Sequence, residues 1–446
     1  MNVNEAPADT SGVIASFVKR YGIFYGWVLL ALGFLCMAIA YGVRNSFAIF
    51  YVYILREFGW GRAETAIIYS TSVFSYGFIA PVSGALVDRF GPRRVMPIGC
   101  LLLTLGAAGC SLANQIWQFS LLFGVLAAMG TCMTGYVSNA TVLSRWFVRR
   151  RGLVFGLLNM GFGLSFVFST ISGLLIVRFD WRTSYLVLAA LVAFVLLPLV
   201  VLFSRHQPQD MGLLPDGDTE ATPVTGVGKL PPDAATDLGR RWQSTVWTLP
   251  KALKTYHFWV IFLANLMIWG IGENLFVAHQ VAFATDIGMD SAAASSIASI
   301  FGVTLAIGAL GGPIADRLGR ERAFTIGCSV AGLGALTVIL ASYVEKAWMV
   351  YLFAVMLGLG MGIAGPALTG AVADLFAGRH FGAINGTMVM GFGMGGVIGP
   401  WLGGYIFDIT GTYSLAFLAA LLAIVTSCVL LWIAAPRKIV PISTRR

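Results

Sequence analysis

The sequence predicts an all-α membrane protein of twelve transmembrane helices, arranged as two pseudo-symmetric six-helix halves. Three observations carry that prediction. Of 446 residues, 58% are apolar and only 11% charged, with a mean hydropathy of +0.82, above the ~45 to 50% apolar content of soluble globular chains. The apolar residues fall in blocks of about 20 or more, the length a helix needs to cross a hydrocarbon core. A loop motif also recurs at a fixed offset on either side of one hydrophilic stretch. An ordinary soluble enzyme, a disordered chain and a nucleic-acid-binding tail are excluded, because the net charge of +9 is scattered between apolar blocks.

The candidate spans are 24–53, 65–87, 95–113, 118–143, 152–177, 183–203, 258–284, 292–315, 323–343, 347–373, 381–407 and 413–433. Helices are preferred to barrel strands because the blocks are continuous, whereas barrel strands alternate apolar and polar residues over ~10 positions. Lys19 and Arg20 precede a long first apolar run without a small-residue cleavage site, so that run reads as a span and not as a signal peptide. The six cysteines lie within spans without CxxC spacing. They are expected to pack as small apolar residues, and no metal or cofactor is expected.

Orientation follows from the basic residues. With the N-terminus inside, 23 of the 29 Lys and Arg fall on the inner side, five fall outside (Arg56, Arg62, Arg178, Arg182, Lys346), and Arg44 lies within a span. Lys and Arg resist translocation, so both termini are expected in the cytoplasm. The protein is expected in the cytoplasmic (inner) membrane and as a functional monomer. The expected organisation is a cytoplasmic tail over 1–23, a six-helix half over 24–203, a cytoplasmic linker over 204–257, a second half over 258–434 and a tail over 435–446. Pro, Gly and Asp in the linker suggest a flexible tether.

The halves repeat. GALVDRFGPRR (84–94) follows span two and GPIADRLGRER (312–322) follows span eight, which makes Asp316 the counterpart of Asp88. Gly84 and Gly91 permit close helix approach and a tight turn, Asp88 can accept hydrogen bonds from Arg145 or cap a helix start, and Arg89, Arg93 and Arg94 suit an anionic leaflet. The copy supplies Asp316, Arg317, Gly319 and Arg320. Asp374 follows Arg145 at nearly the same offset that separates Asp316 from Asp88, so an acid is expected to face Arg317 or Arg320 there.

Two copies of G-x-x-x-D-R-x-G in equivalent loops of a twelve-span chain resemble the major facilitator superfamily over the whole length. Within it, FYGWVLL at Phe24, RWF-x3-RG at Arg145 and MGLLPDG after span six look like the monocarboxylate transporters and bacterial oxalate:formate antiporters. The resemblance implies that Asp88 belongs to a latch joining the halves on the cytoplasmic side in one conformation. It also exposes a departure. Monocarboxylate transporters typically carry an acid and an arginine in span eight, and alignment on Gly312 to Asp316 puts Thr304 and Gly308 there. Their basic residue of span one corresponds to Asn45, with Arg44 one position earlier. Gly386, Gly395, Gly399, Pro400, Gly403 and Gly404 in span eleven resemble the superfamily's antiporter motif, which there belongs to span five. They are read mainly as helix packing.

Chemistry is expected of the ionisable groups inside spans, because a charge at the bilayer centre costs at least ~2.5 to 3.5 kcal/mol on insertion scales. Arg44 and Glu273 qualify. They are separated by the offset of the repeat, and each precedes an asparagine, Asn45 and Asn274. Symmetry-related positions are expected to face one another across a central cavity. Arg44 would take the anionic group through a two-pronged contact and Glu273 the proton. A structural ion pair, or Arg44 snorkelling outward, are the alternatives. His279 is a second proton-relay candidate, and Tyr41, Tyr136, Asn139 and Asn265 offer neutral hydrogen bonds.

The function expected is secondary active transport of a small organic anion, a monocarboxylate in first place, by alternating access with proton symport. Anion exchange of the oxalate:formate type and a facilitator for a non-carboxylate solute stay open. An embedded enzyme is disfavoured, since His206, His257, His279 and His380 are scattered without ligand spacing. Neither nucleic acid nor a cofactor is expected as a partner; the bilayer, the anion and H+ are.

Overall fold

A backbone crossing lipid must satisfy its own hydrogen bonds, and the computed structural model is correspondingly helical. It describes residues 24–217, 242, 245–344 and 346–436. The tails at 1–23 and 437–446, and linker residues 219–237, lie outside the described residues.

The first half contains α1 (Tyr25–Phe58), α2 (Arg62–Phe90), α3 (Pro92–Cys110), α4 (Ile116–Trp146), α5 (Arg151–Ser165, then Val167–Arg178) and α6 (Trp181–Phe203). The second contains α7 (Tyr256–Asp286), α8 (Ser291–Ala309, then Gly312–Leu318), α9 (Arg320–Val344), α10 (Ala347–Phe376), α11 (Phe381–Thr410) and α12 (Ser414–Ala434). Among the described residues, eleven helices are long and apolar enough to cross a membrane. The bent pair forming α5 takes the remaining place in the order. Large apolar side chains such as Phe78, Leu105, Phe194, Leu333 and Val429 stand more than half exposed, which suits lipid and not water.

Two glycines of the repeated motif sit where the chain needs a positive φ. Gly91 (φ +76°) turns α2 into α3, and Gly319 (φ +96°) turns α8 into α9. The halves meet along α2 against α11 and along α5 against α8 and α10. Small residues make those crossings possible: a Cβ on Gly84 would lie 1.8 Å from the Gly382 carbonyl oxygen, and one on Gly312 would lie 2.0 Å from that of Gly152. The glycines of α11 likewise pack, Gly386 on Ala80 and both Gly395 and Gly399 on Gly270.

The ends of the linker are not loose. Asp216 accepts the amide hydrogens of Val148 and Arg149, each at 3.0 Å. Trp242 donates through Nε1 to the Leu375 carbonyl at 2.7 Å. Thus one linker end is pinned to the α4–α5 loop and the other to the end of α10, so the expectation of a simple tether is corrected for these described residues. Apolar contacts of Trp242 and Trp247 with Phe376 give the second anchor its burial.

Candidate functional site

The face carrying the α2–α3, α4–α5, α8–α9 and α10–α11 loops is closed by a symmetric set of capped helix starts. Helix starts leave amide hydrogens unpaired and carry partial positive charge. Asp88, at the end of α2, accepts from Gly382 N (3.1 Å) and Ala383 N (2.9 Å) of α11 and from Arg145 Nη2 (2.6 Å). Asp316, at the end of α8, accepts from Gly152 N (2.9 Å) and Leu153 N (3.0 Å) of α5 and from Arg320 Nη1 (2.8 Å). Each aspartate therefore spans the two halves.

Further links reinforce the closure. Asp374 accepts from Arg320 Nε at 2.9 Å and from Arg151 Nη1, in the other half, at 3.3 Å. Arg145 Nη2 also donates to the Arg379 carbonyl at 3.0 Å, and its Nη1 lies against the His206 ring, 2.5 Å from Nε2. Burial, and after it the neighbouring Arg145 charge, push the His206 pKa down to about 4. Of the two expected partners for Asp374, Arg320 pairs with it while Arg317 is exposed, as are Arg93 and Arg94. Arg89 lies over the Phe90 ring, 5.1 Å from its centroid. Arg151 and His206 were missed in the sequence because nothing in their local pattern marks a contact across halves.

Beyond this closure, at the centre of the bundle, is a cavity of about 110 Å³. On α7, Asn265, Trp269 and Glu273 line it at four-residue intervals. The stretch Leu266–Glu273 is π-helical, and its wider turn keeps residues four apart close to one line. Tyr136 enters directly after Gly135, where α4 breaks (φ −88°, ψ −138°), and its hydroxyl is hydrogen-bonded to that of Thr369 in the other half. Tyr41 and Tyr76 line the cavity with their hydroxyls 2.5 Å apart. Phe162, Phe392, Asn159 and Asn385 also line it. The last two each hold a buried Nδ2 without a partner among the described residues.

The expected pair of Arg44 and Glu273 does not form here. Glu273 is 5% exposed and lines the cavity, and among the described residues it has no hydrogen bond or ion pair. Arg44, also 5% exposed, does not line it; its guanidinium lies over Tyr76 (4.9 Å to the centroid) and Tyr69 (6.0 Å), rings of α2 in its own half. Those rings keep the cation out of the cavity wall. Tyr41, Tyr136 and Asn265 reach the cavity as expected for binding residues, but three other asparagines do not. Asn45 donates to Ser165 Oγ at 2.8 Å, and Asn274 donates to the Trp269 carbonyl at 2.6 Å. Asn139 donates to the Thr134 and Gly135 carbonyls at 2.8 and 2.7 Å, beside the break at Gly135, and the Gly135 carbonyl also accepts the Asn139 amide at 3.2 Å. His279 donates through Nε2 to the Pro400 carbonyl at 2.9 Å.

A closed face, a central cavity between two repeated halves and a polar face on the π-helical stretch of α7 suit a carrier. Comparison with known proteins names the family. The Major Facilitator Superfamily model matches residues 33–369 and, in an overlapping second match, 261–445. The chain belongs to the major facilitator superfamily. Like other members it is a multi-pass membrane transporter and not an enzyme. It is similar to monocarboxylate transporter 13 of Rattus norvegicus, with 26% identity over 89% of this chain and 86% of that one. It is also similar to monocarboxylate transporter 11 of Mus musculus, with 29% identity over 88% and 84%. Among solved structures, the proton:xylose symporter XylE superposes with a TM-score of 0.72 at 14% identity, covering 92% of this chain and 95% of XylE. FucP in its outward conformation superposes with a TM-score of 0.65 at 16% identity, covering 92% and 98%. These structures bear on the fold.

Proposed function

We propose that this superfamily member moves a small organic anion of the monocarboxylate class together with a proton across the cytoplasmic membrane, by alternating access. The excess of Lys and Arg on the latched face supports placing that face, and both termini, in the cytoplasm. The conformation described is then outward-facing, with the halves joined below the cavity.

The observation that carries the reading is Glu273: a carboxyl in the cavity wall with no partner among the described residues, on the helix that also presents Asn265 and Trp269. An intramembrane acid kept without a structural partner is suited to exchanging a proton. Arg44, one helical turn beyond Tyr41, supplies positive charge near the entrance and draws an anion toward the cavity. The monocarboxylate transporters among its relatives support the substrate class.

Purified protein in proteoliposomes with an imposed pH gradient provides the test. Labelled monocarboxylate should accumulate above its equilibrium level and leak back when a protonophore is added. Uptake that ignores the gradient would remove proton coupling from the reading.

A further inference from the structure

We infer that Asn159 and Asn385 form an amide clamp for the substrate carboxylate, and that the substrate is a monocarboxylate with an aromatic body. This rests on the anion-transport reading above and gives it a binding site.

The two amides come from opposite halves, Asn159 on α5 and Asn385 on α11, and line the same cavity. Each has a buried Nδ2 without an acceptor among the described residues. Asn385 is only 2% exposed, so its unpaired donor is a cost the fold does not recover until something in the cavity accepts from it. A carboxylate accepts up to about four hydrogen bonds, which leaves room for an N–H donor from each half. A cation is not available at the aligned position of span eight: a Cβ on Gly308 would lie 2.3 Å from the Leu359 carbonyl oxygen, so α10 occupies the space a longer side chain would need.

The remainder of the cavity fits an apolar ring. Tyr41 and Phe162 stand edge-to-face with centroids 5.0 Å apart, and Tyr76 and Phe392 stand edge-to-face across the halves at 6.0 Å. Trp269 adds a third face, close to Asn159 beside Gly365. Aromatic walls prefer aromatic guests in tilted contact. Asn385 lies one turn, and Asn159 about two turns, from the helix starts capped by Asp88 and Asp316. A carboxylate held by both amides therefore grips the two helices that the latch grips.

The test uses the purified full-length protein in detergent, with phenylacetate, acetate and phenylacetamide as probes in calorimetric titration. Phenylacetate should bind at least about tenfold tighter than either of the others. Asn159→Ala and Asn385→Ala should each weaken it by about tenfold. The isosteric Asn385→Asp, which exchanges a donor for an acceptor, should abolish phenylacetate binding while the ligand-free melting curve is retained. Acetate bound as tightly as phenylacetate, or no phenylacetate binding at all, overturns the aromatic assignment. Unchanged phenylacetate affinity in both alanine variants overturns the clamp. Phenylacetamide bound as tightly as phenylacetate overturns the anion-transport reading itself, which separates the two failures.

Discussion

Asp88 and Asp316 occupy matching places in the repeat, and each caps a helix start in the half opposite its own, Asp88 at Gly382 and Ala383, Asp316 at Gly152 and Leu153. The reciprocity means that neither half closes this face alone. Each capped start also follows a glycine crossing so tight that the opposing backbones touch, Gly84 on Gly382 and Gly312 on Gly152. Separating the halves must break both caps and both crossings. Their sum sets the population of the closed form against the open one.

Asp88→Asn keeps a hydrogen-bond acceptor for α11 but loses the negative charge that faces Arg145 and the helix start. The closed form should lose about 1 to 3 kcal/mol relative to the open one, a factor of roughly 5 to 150. Transport should slow while membrane levels stay near normal. Labelling of Met388→Cys from the latched face reads the change directly. Equal labelling rates with Asp88 and with Asn at that position would sink the latch assignment.

His206 makes the same closure sensitive to acid. Its pKa is about 4 in this conformation, pushed there by burial and then by Arg145, against an ordinary value of about 6.5 when released. Release therefore takes up a proton between those values. The stabilisation that neutral His206 gives the closed face is fully present above pH ~6.5 and is lost as the pH falls toward ~4. Labelling of the same cysteine should rise across that window, and His206→Gln should flatten the rise. An identical pH profile in the variant would show that some other group titrates.

The linker separates into parts with different roles. Removing about ten residues from 219–237 should leave uptake intact, because the cost of closing a loop changes only slowly with its length. Asp216→Ala should be felt, since it strips the acceptor from two amides at the α4–α5 turn. The Val148 amide is part-buried and the Arg149 amide exposed, so water replaces part of what is lost, and a loss of about 0.5 to 1.5 kcal/mol is expected, seen as a lower melting temperature. Uptake abolished by the short deletion at normal membrane levels would make the central linker a working part.

The apolar spans, the 6+6 repeat and the aspartates that bridge the halves were legible because each leaves a one-dimensional trace: block length, a repeated offset, and an acid flanked by glycines. Asp374 was legible only in part, its partner being left open between Arg317 and Arg320 until the helix phase of α9 decided it. The cavity was less legible. Asn45, Asn139 and Asn274 look in sequence like Asn159 and Asn385, polar residues in apolar spans. What separates them is whether a backbone carbonyl or a hydroxyl lies within reach, and that depends on a helix break at Gly135, on the π-helical turn of α7 and on tertiary packing. The repeat offset placed Arg44 and Glu273 at matching depths, yet it could not tell that two tyrosines of α2 would take the guanidinium.

Because Arg44 and Glu273 are apart in this conformation, their roles can be separated by substitution. Glu273→Gln removes the titratable group and leaves the cavity shape nearly unchanged, so substrate binding and exchange should persist while accumulation driven by a proton gradient is lost. Arg44→Ala removes a positive charge that stands behind the cavity wall and makes no contact with it, so an anion loses only attraction at a distance and binding should weaken by about 3- to 10-fold. Arg44→Lys keeps the charge but loses the flat guanidinium that rests on Tyr76, so it should fall between the two. Uptake in proteoliposomes, with and without the gradient, measures all three. Gradient-driven accumulation retained in Glu273→Gln would move the proton site elsewhere on α7, with His279 next in line once its bond to the Pro400 carbonyl opens. Normal anion binding in Arg44→Ala would leave recognition wholly to the neutral donors of the cavity.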